Sequence, residues 1–193
     1  MFSSQEGETV PNISFQPCEK PSQFYDKPTS TLITTHELFA HKTVIAFAVP
    51  GAFIYPYSTI QLIEYNSYKD VFKTNGIDDI VCISINNRFV LSHWAKKEGA
   101  EHIRLLPDAQ GGFTQRMGML MSLADKGMGQ RSWRYSMLVK DRVIEKMFIE
   151  RVGLEAWPEV SNAETMLEYI NPAAVKPQKA LALMQMWRAV LST

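Results

Sequence analysis

Two unbroken apolar runs, Thr43-Val-Ile-Ala-Phe-Ala-Val49 and Asp79-Ile-Val-Cys-Ile-Ser-Ile85, constrain the fold of this 193-residue chain more than any other feature. Successive strand side chains point to opposite faces, so runs like these need cover on both sides, as in a parallel sheet packed between helices. Between them Ile60, Ile63, Tyr68, Val71 and Phe72 recur at roughly helical spacing, and Asn75-Gly76 supplies a stop. That pattern predicts one long helix over 58–74. Strand, helix and strand in this order make a right-handed parallel unit.

The first run ends on Pro50-Gly51, a turn that leads straight into the helix. Amides at a helix N-terminus stabilise an anion placed there, so a strand, turn and helix start of this kind is a place to mount chemistry. Further along, Phe89 to Lys97 reads as a helix ending at Gly99, and Ile103 to Leu106 as a short third strand. The turn 107–112 leads to a short helix over 113–117, then a Met- and Gly-rich bridge to Gly129. The runs 133–139 and 143–149 flank Lys140-Asp141-Arg142 as a β-hairpin.

Ahead of the first strand, Pro11, Pro17, Pro21 and Pro28 break up short apolar pieces, which predicts edge hairpins and loops, and Thr35 reads as the cap of a short helix over 36–40. Ser161-Asn-Ala-Glu164 fits a capping box for a helix to Ile170, closed by Asn171-Pro172. The last segment, Lys179 to Leu191, has helical propensity and is apolar nearly all round, so it needs something to pack on: its own domain, a second subunit or another protein. The division is a domain over 1–172 and an appended segment over 173–193.

Twenty basic and twenty acidic side chains cancel, so overall electrostatics favour neither nucleic acid nor an anionic membrane. Cys18 and Cys82 have neither Cys-x-x-Cys spacing nor the density of a secreted scaffold, and the N-terminus lacks the basic and apolar regions of a signal peptide. No stretch reaches membrane-spanning length. The expected setting is cytoplasmic. His36, His41, His93 and His102 lack metal-ligand spacing, and neither a metal nor a cofactor is expected.

Beyond the Pro50-Gly-Ala-Phe53 turn, several segments carry a resemblance: 82–90, His93-Trp94, Leu106-Pro-Asp108, Gly112-Phe-Thr114, Met117-Gly118, 131–141 and 144–150. In this order they resemble the fifth class of peroxiredoxins from about Val10 to Pro172, especially the bacterial form fused to glutaredoxin. The resemblance implies a thioredoxin-like α/β domain: a central mixed sheet, helices on both faces, an N-terminal hairpin and here an extra C-terminal helix. It also implies a homodimer packed through the active-site loops. In that family a Pro shields the site, a Thr hydroxyl holds the peroxide, a cysteine thiolate attacks it and a distant Arg stabilises the charge. The thiolate is needed because O–O attack wants a soft anion, with its pKa pulled below roughly 8.5.

Carried over residue by residue, the Pro is Pro50 and the Arg is Arg134, whereas the Thr position holds Ile54 and the cysteine position Tyr57. Nearby, Tyr55, Pro56 and Gln61 stand where the family has Pro, Thr and His. A phenol with a pKa near roughly 10 is mostly protonated at neutral pH and does not replace a thiolate. The expectation is a vestigial peroxide pocket with the thiol peroxidase reaction lost, in a chain that acts as a dimeric scaffold or binding module. The alternative is a redox enzyme working through Cys18 or Cys82, or another reaction in the altered pocket.

Three further expectations concern placement. Arg134 contacts Tyr57, which plugs the old pocket. Cys82 is a buried hydrophobe, and Cys18 lies in a surface loop beside Glu19. Phe53, Tyr55, Tyr57, Met119, Met121 and Trp187 are candidate interface residues, against a bland reading of plain core packing; Ser58 is read as an N-cap.

Overall fold

The structure, a computed structural model, describes residues 2–16, 18, 32–152, 154 and 157–178. The predicted helix over 179–191, with Trp187, lies outside these, as do Pro17, Pro21 and Pro28. In chain order the elements are β1 (Ser14–Phe15), β2 (Ile33–Thr34), α1 (Thr35–Phe39), β3 (Thr43–Val49), α2 (Tyr57–Ser67), α3 (Lys69–Thr74), β4 (Asp79–Ser84) and α4 (Arg88–Glu98). There follow β5 (Arg104–Pro107), α5 (Gly112–Arg116), β6 (Leu120–Leu123), a 3₁₀ turn, β7 (Gly129–Ser132), β8 (Tyr135–Lys140), β9 (Val143–Ile149) and α6 (Ala163–Ile170).

Five strands form the central sheet in the order β5-β4-β3-β8-β9, parallel across β5-β4-β3 and antiparallel across β3-β8-β9. The two apolar runs are adjacent central strands, and alternation divides each between two cores. Ile45, Phe47 and Val49 face Leu62, Tyr65, Phe72, Leu91, Trp94, Met166 and Leu167 of α2, α3, α4 and α6. Val44, Ala46 and Ala48 face Leu38, Phe39 and Phe113 of α1 and α5, with Val10, Phe15 and Met119. This is the mixed sheet between helices of the thioredoxin-like fold. β1 pairs with β2 as the small N-terminal antiparallel element.

The hairpin turn between β8 and β9 is Asp141-Arg142, with φ of +41° and +72°. Two consecutive positive φ values match the twist of paired strands, and Asp141 is tied in by accepting the His41 amide at 2.8 Å.

Several expectations need correcting. The predicted helix over 58–74 is two, broken at Tyr68, where the Ser67 hydroxyl bonds back to the Glu64 carbonyl at 2.7 Å and the Tyr68 ring turns into the core beside Phe72. The cap of α1 is Thr34, in a reciprocal capping box with Glu37; Thr35 instead donates its hydroxyl to the Pro11 carbonyl at 2.7 Å. α6 is capped by Asn162, one residue beyond Ser161, whose oxygens serve the buried network described below. The Met- and Gly-rich bridge contains the antiparallel pair β6-β7. Met119 is fully buried in the second core, and Met121 is half-buried on β6.

Candidate active site

β3 delivers its chain to a buried Pro50 and Gly51, and the loop is then fastened from the neighbouring parallel strand. Asn86, just past β4, accepts the Ala52 amide and the Ser84 hydroxyl through Oδ1, each at 2.9 Å. A Cβ at Gly51 would lie 2.9 Å from Ile54 Cδ1, so the Ile54 side chain is laid on the bare glycine backbone. Aliphatic carbon thus fills the space against Gly51.

Phe53 has φ +59°, an uncommon conformation for a bulky side chain, and its ring faces α4, 6.0 Å from the His93 ring and 6.5 Å from the Trp94 ring. The Lys97 ammonium lies 5.6 Å from the Phe53 ring centre and 5.3 Å from that of Tyr55, whose hydroxyl bonds the Glu98 carboxylate. Tyr55 remains 44% exposed. Phe53 and Tyr55 thus strap the loop to α4, while Tyr57 turns the other way.

Tyr57 opens α2 half-buried, its ring edge-on to Trp157 at 6.2 Å and 85°. The start of α2 is poorer in free donors than the sequence suggests. Pro56 at the N-cap has no N–H, and the Ser58 amide is spent on the Ile54 carbonyl at 3.0 Å. Ser58 is therefore inside the helix rather than capping it, with its buried hydroxyl lacking a protein partner.

Arg134, just before β8, is fully buried. The expected contact with Tyr57 gives way to another: its Nη1 donates to Gln61 Oε1 at 2.7 Å. Gln61, also fully buried, donates through Nε2 to the Ser161 carbonyl at 3.0 Å and hydroxyl at 3.1 Å. The Tyr65 hydroxyl reaches the same carbonyl at 2.9 Å. Glu150 accepts the Val160 and Ser161 amides at 3.0 and 2.7 Å, closing a network that joins α2, β8, the end of β9 and the start of α6. Desolvation pulls the Arg134 guanidinium down to about 10, opposed by the nearby Glu150 charge. Its Nε and Nη2 have no protein acceptor.

Gln61, Glu150 and Ser161 were not among the predicted site residues. The available signal was Gln61 itself, one turn after Tyr57.

The thiols lie elsewhere. Cys82 is sealed in β4, and burial pushes its thiol far up, beyond the range of neutral chemistry. Cys18 is half-buried against the first core rather than loose in a loop; its thiol donates to the Arg88 carbonyl at 3.7 Å, and burial pushes it up to about 11. It lines a cavity of about 760 Å³ along α4 and β5, to which Pro50, Ile54, Tyr57 and Arg134 do not contribute. Among the described residues there is no cluster of three His, Cys, Asp or Glu able to hold a metal, and no helix long and apolar enough to cross a membrane.

Comparison with known proteins agrees with this architecture. The family described as Redoxin matches residues 5–167. The hybrid peroxiredoxin hyPrx5 of Haemophilus influenzae is 46% identical over 171 residues, which cover 89% of this chain and 68% of that protein. Peroxiredoxin sll1621 of Synechocystis is 40% identical, over 90% of this chain and 97% of its own length. Among solved structures, reduced Prx3 of Vibrio vulnificus in complex with H2O2 superposes with a TM-score of 0.76 at 34% identity, covering 88% of this chain and 100% of the other. The chain therefore belongs to the redoxin family, as a peroxiredoxin-like protein of thioredoxin-like fold.

Proposed function

We propose that this protein has given up thiol peroxidase chemistry and serves as a scaffold or binding module built on the peroxiredoxin frame. The observation that carries the reading is position 57. There a phenol, packed edge-on against Trp157, opens the helix whose first turn would have to present a thiolate. Ile54 on Gly51 removes the hydroxyl that would orient a peroxide, and neither Cys18 nor Cys82 has the lowered pKa of an attacking thiol. What persists, Pro50 and Arg134, is kept by packing and by Gln61.

The binding surface is the loop 53–57 with the adjoining C-terminal end of α4. Tyr55 is exposed there, at 44%, beside Phe53. Aromatic side chains backed by Lys97 are the composition of an interface centre, and a second copy of the chain is the expected partner. A cytoplasmic setting is part of the same reading.

The constructive test restores the two missing groups together, Tyr57→Cys with Ile54→Thr. If the reading is right, hydroperoxide consumption supported by thioredoxin or glutaredoxin appears in the double variant and is absent from the parent. Turnover by the parent through Cys18 or Cys82, abolished by Cys18→Ser or Cys82→Ala, would replace this reading with the redox one.

A further inference from the structure

β9 is an edge strand of the central sheet, and among the described residues its outer side is covered by a short segment near the start of the chain. Gly7 donates to the Ile144 carbonyl at 2.8 Å, Ile144 to the Glu8 carbonyl at 3.0 Å and Val10 to the Arg142 carbonyl at 2.8 Å, an antiparallel pairing centred on Thr9 and Val143. Beyond it the Glu6 carboxylate takes over, accepting the Met147 amide at 2.9 Å and the Lys146 ammonium at 3.1 Å. Open amides and carbonyls on a strand edge are a template for another chain, so covering them has a physical consequence.

The cover is lightly attached. Phe2, packed on Trp133 with ring centres 4.5 Å apart, and the buried Val10 hold its ends. Between them residues 3–9 are exposed apart from Gln5, and the Lys146 and Glu6 side chains of the ion pair are 33% and 36% exposed. Such a pair contributes little, and a segment with few buried apolar contacts opens well below the free energy of global unfolding.

The edge beneath it is self-complementary. Leu138 pairs with Lys146 and Val139 with Ile144, which makes Glu145 an extra residue and sets the outward amides of Ile144 and Met147 three residues apart. When β9 is laid antiparallel to β9 of a second copy about a two-fold axis, Ile144 falls opposite Met147 and Met147 opposite Ile144. The same register sets Glu145 opposite Lys146 and Val143 opposite Phe148. Faces agree as well. Ile144 and Met147 both belong to the second core, while Glu145 and Lys146 both reach Tyr169 of α6, one at its hydroxyl at 3.5 Å and the other over its ring at 5.9 Å. Each acid then meets a base, and Lys146 exchanges its own Glu6 for the second copy's Glu145.

We propose that segment 5–10 is a removable guard of the β9 edge, and that it competes with a second copy of the chain for the backbone groups of Ile144 and Met147. This surface is separate from the loop 53–57, and the proposal does not depend on whether peroxidase chemistry has been lost.

The test uses the full chain carrying Glu6→Ala with Gly7→Pro. Together these remove the carboxylate, one amide donor and the φ of +87° held by Gly7, where an added Cβ meets nothing within 4 Å. Sedimentation should give twice the parent's mass at equal concentration, whatever state the parent has. At high dilution the Ile144 and Met147 amides should exchange roughly tenfold or more faster than in the parent. Adding either Glu145→Lys or Lys146→Glu should return the parent's mass, and mixing those two variants should restore the doubled mass, because acids again face bases. An unchanged mass, unchanged exchange at the two amides, or association that the charge changes leave intact would each overturn the proposal. The parent itself supplies a check free of substitutions: its Ile144 and Met147 amides should exchange roughly tenfold or more faster than those of β3, and equal protection would show that the guard does not lift.

Discussion

Replacing Gln61 by Leu should be far more damaging than a neutral-to-apolar change in a helix suggests. The amide oxygen is the protein acceptor held by a fully buried guanidinium, at 2.7 Å, and Arg134 already has two N–H groups without one. A hydrogen bond to a charged group contributes about 1.5–3 kcal/mol, and stranding a buried charged donor sits at the upper end of that range. On the other side of Gln61 little is lost, because the Ser161 carbonyl keeps the Tyr65 hydroxyl at 2.9 Å and Leu fills similar volume. The expected cost is about 2–3 kcal/mol, or a fall in Tm of roughly 4–12 °C for a chain of this size.

A double-mutant cycle isolates the pair. Arg134→Met alone strands the Gln61 oxygen at a cost of about 1–3 kcal/mol, whereas Gln61→Leu with Arg134→Met removes both partners and strands neither. The double variant should therefore be more stable than the sum of the singles predicts, by about 2 kcal/mol. The assay is urea unfolding of the full chain at fixed protein concentration, reading the midpoint at constant slope. Additivity to within about 0.5 kcal/mol would refute the reasoning, since it would mean the buried contact carries no net energy.

Three other outcomes follow from the same geometry. Thr34→Ala removes one half of the capping box of α1 and should cost about 1 kcal/mol in urea unfolding, with Thr35→Ala acting through its separate bond to Pro11. Gly51→Ala should cost about 1–2 kcal/mol because the new Cβ meets Ile54 Cδ1, and Ile54→Val, which deletes that carbon, should recover most of it. Alkylation of Cys18 by iodoacetamide in the folded chain should climb with pH toward about 11 rather than level off near 9; a plateau by pH 9 would contradict its burial. Since the unfolded thiol releases its proton near 9 and the folded one holds it to about 11, raising pH across that window should lower stability by this group's contribution.

The central sheet was legible because its strands are long and continuous. The run from Thr43 to Val49 matches β3 at both ends, and Gly99 stops α4 in the left-handed conformation. What was not legible depended on single hydrogen bonds. Ser67 and Tyr68 end α2 within a sequence of unbroken helical period, and Thr34 and Asn162 win caps that neighbouring residues could have taken. The β6-β7 pair has too little alternation to separate it from a loop, since Gly127 and Gly129 sit where a strand pattern would be read. At the site, the identities of Ile54 and Tyr57 are plain from the sequence, whereas the partner of Arg134 is not. A guanidinium can pair with an aromatic face or an amide, and only the fold brings Gln61 rather than Tyr57 to it.

The account rests most heavily on position 57, and hydroperoxide turnover by the unaltered protein tests it directly. Purified full-length chain should consume hydrogen peroxide and an alkyl hydroperoxide no faster than buffer when supplied in turn with the thioredoxin, glutaredoxin and glutathione systems. Catalytic consumption proportional to protein concentration, under any of the three, would show that a thiol peroxidase survives without a cysteine at position 57 and would contradict it.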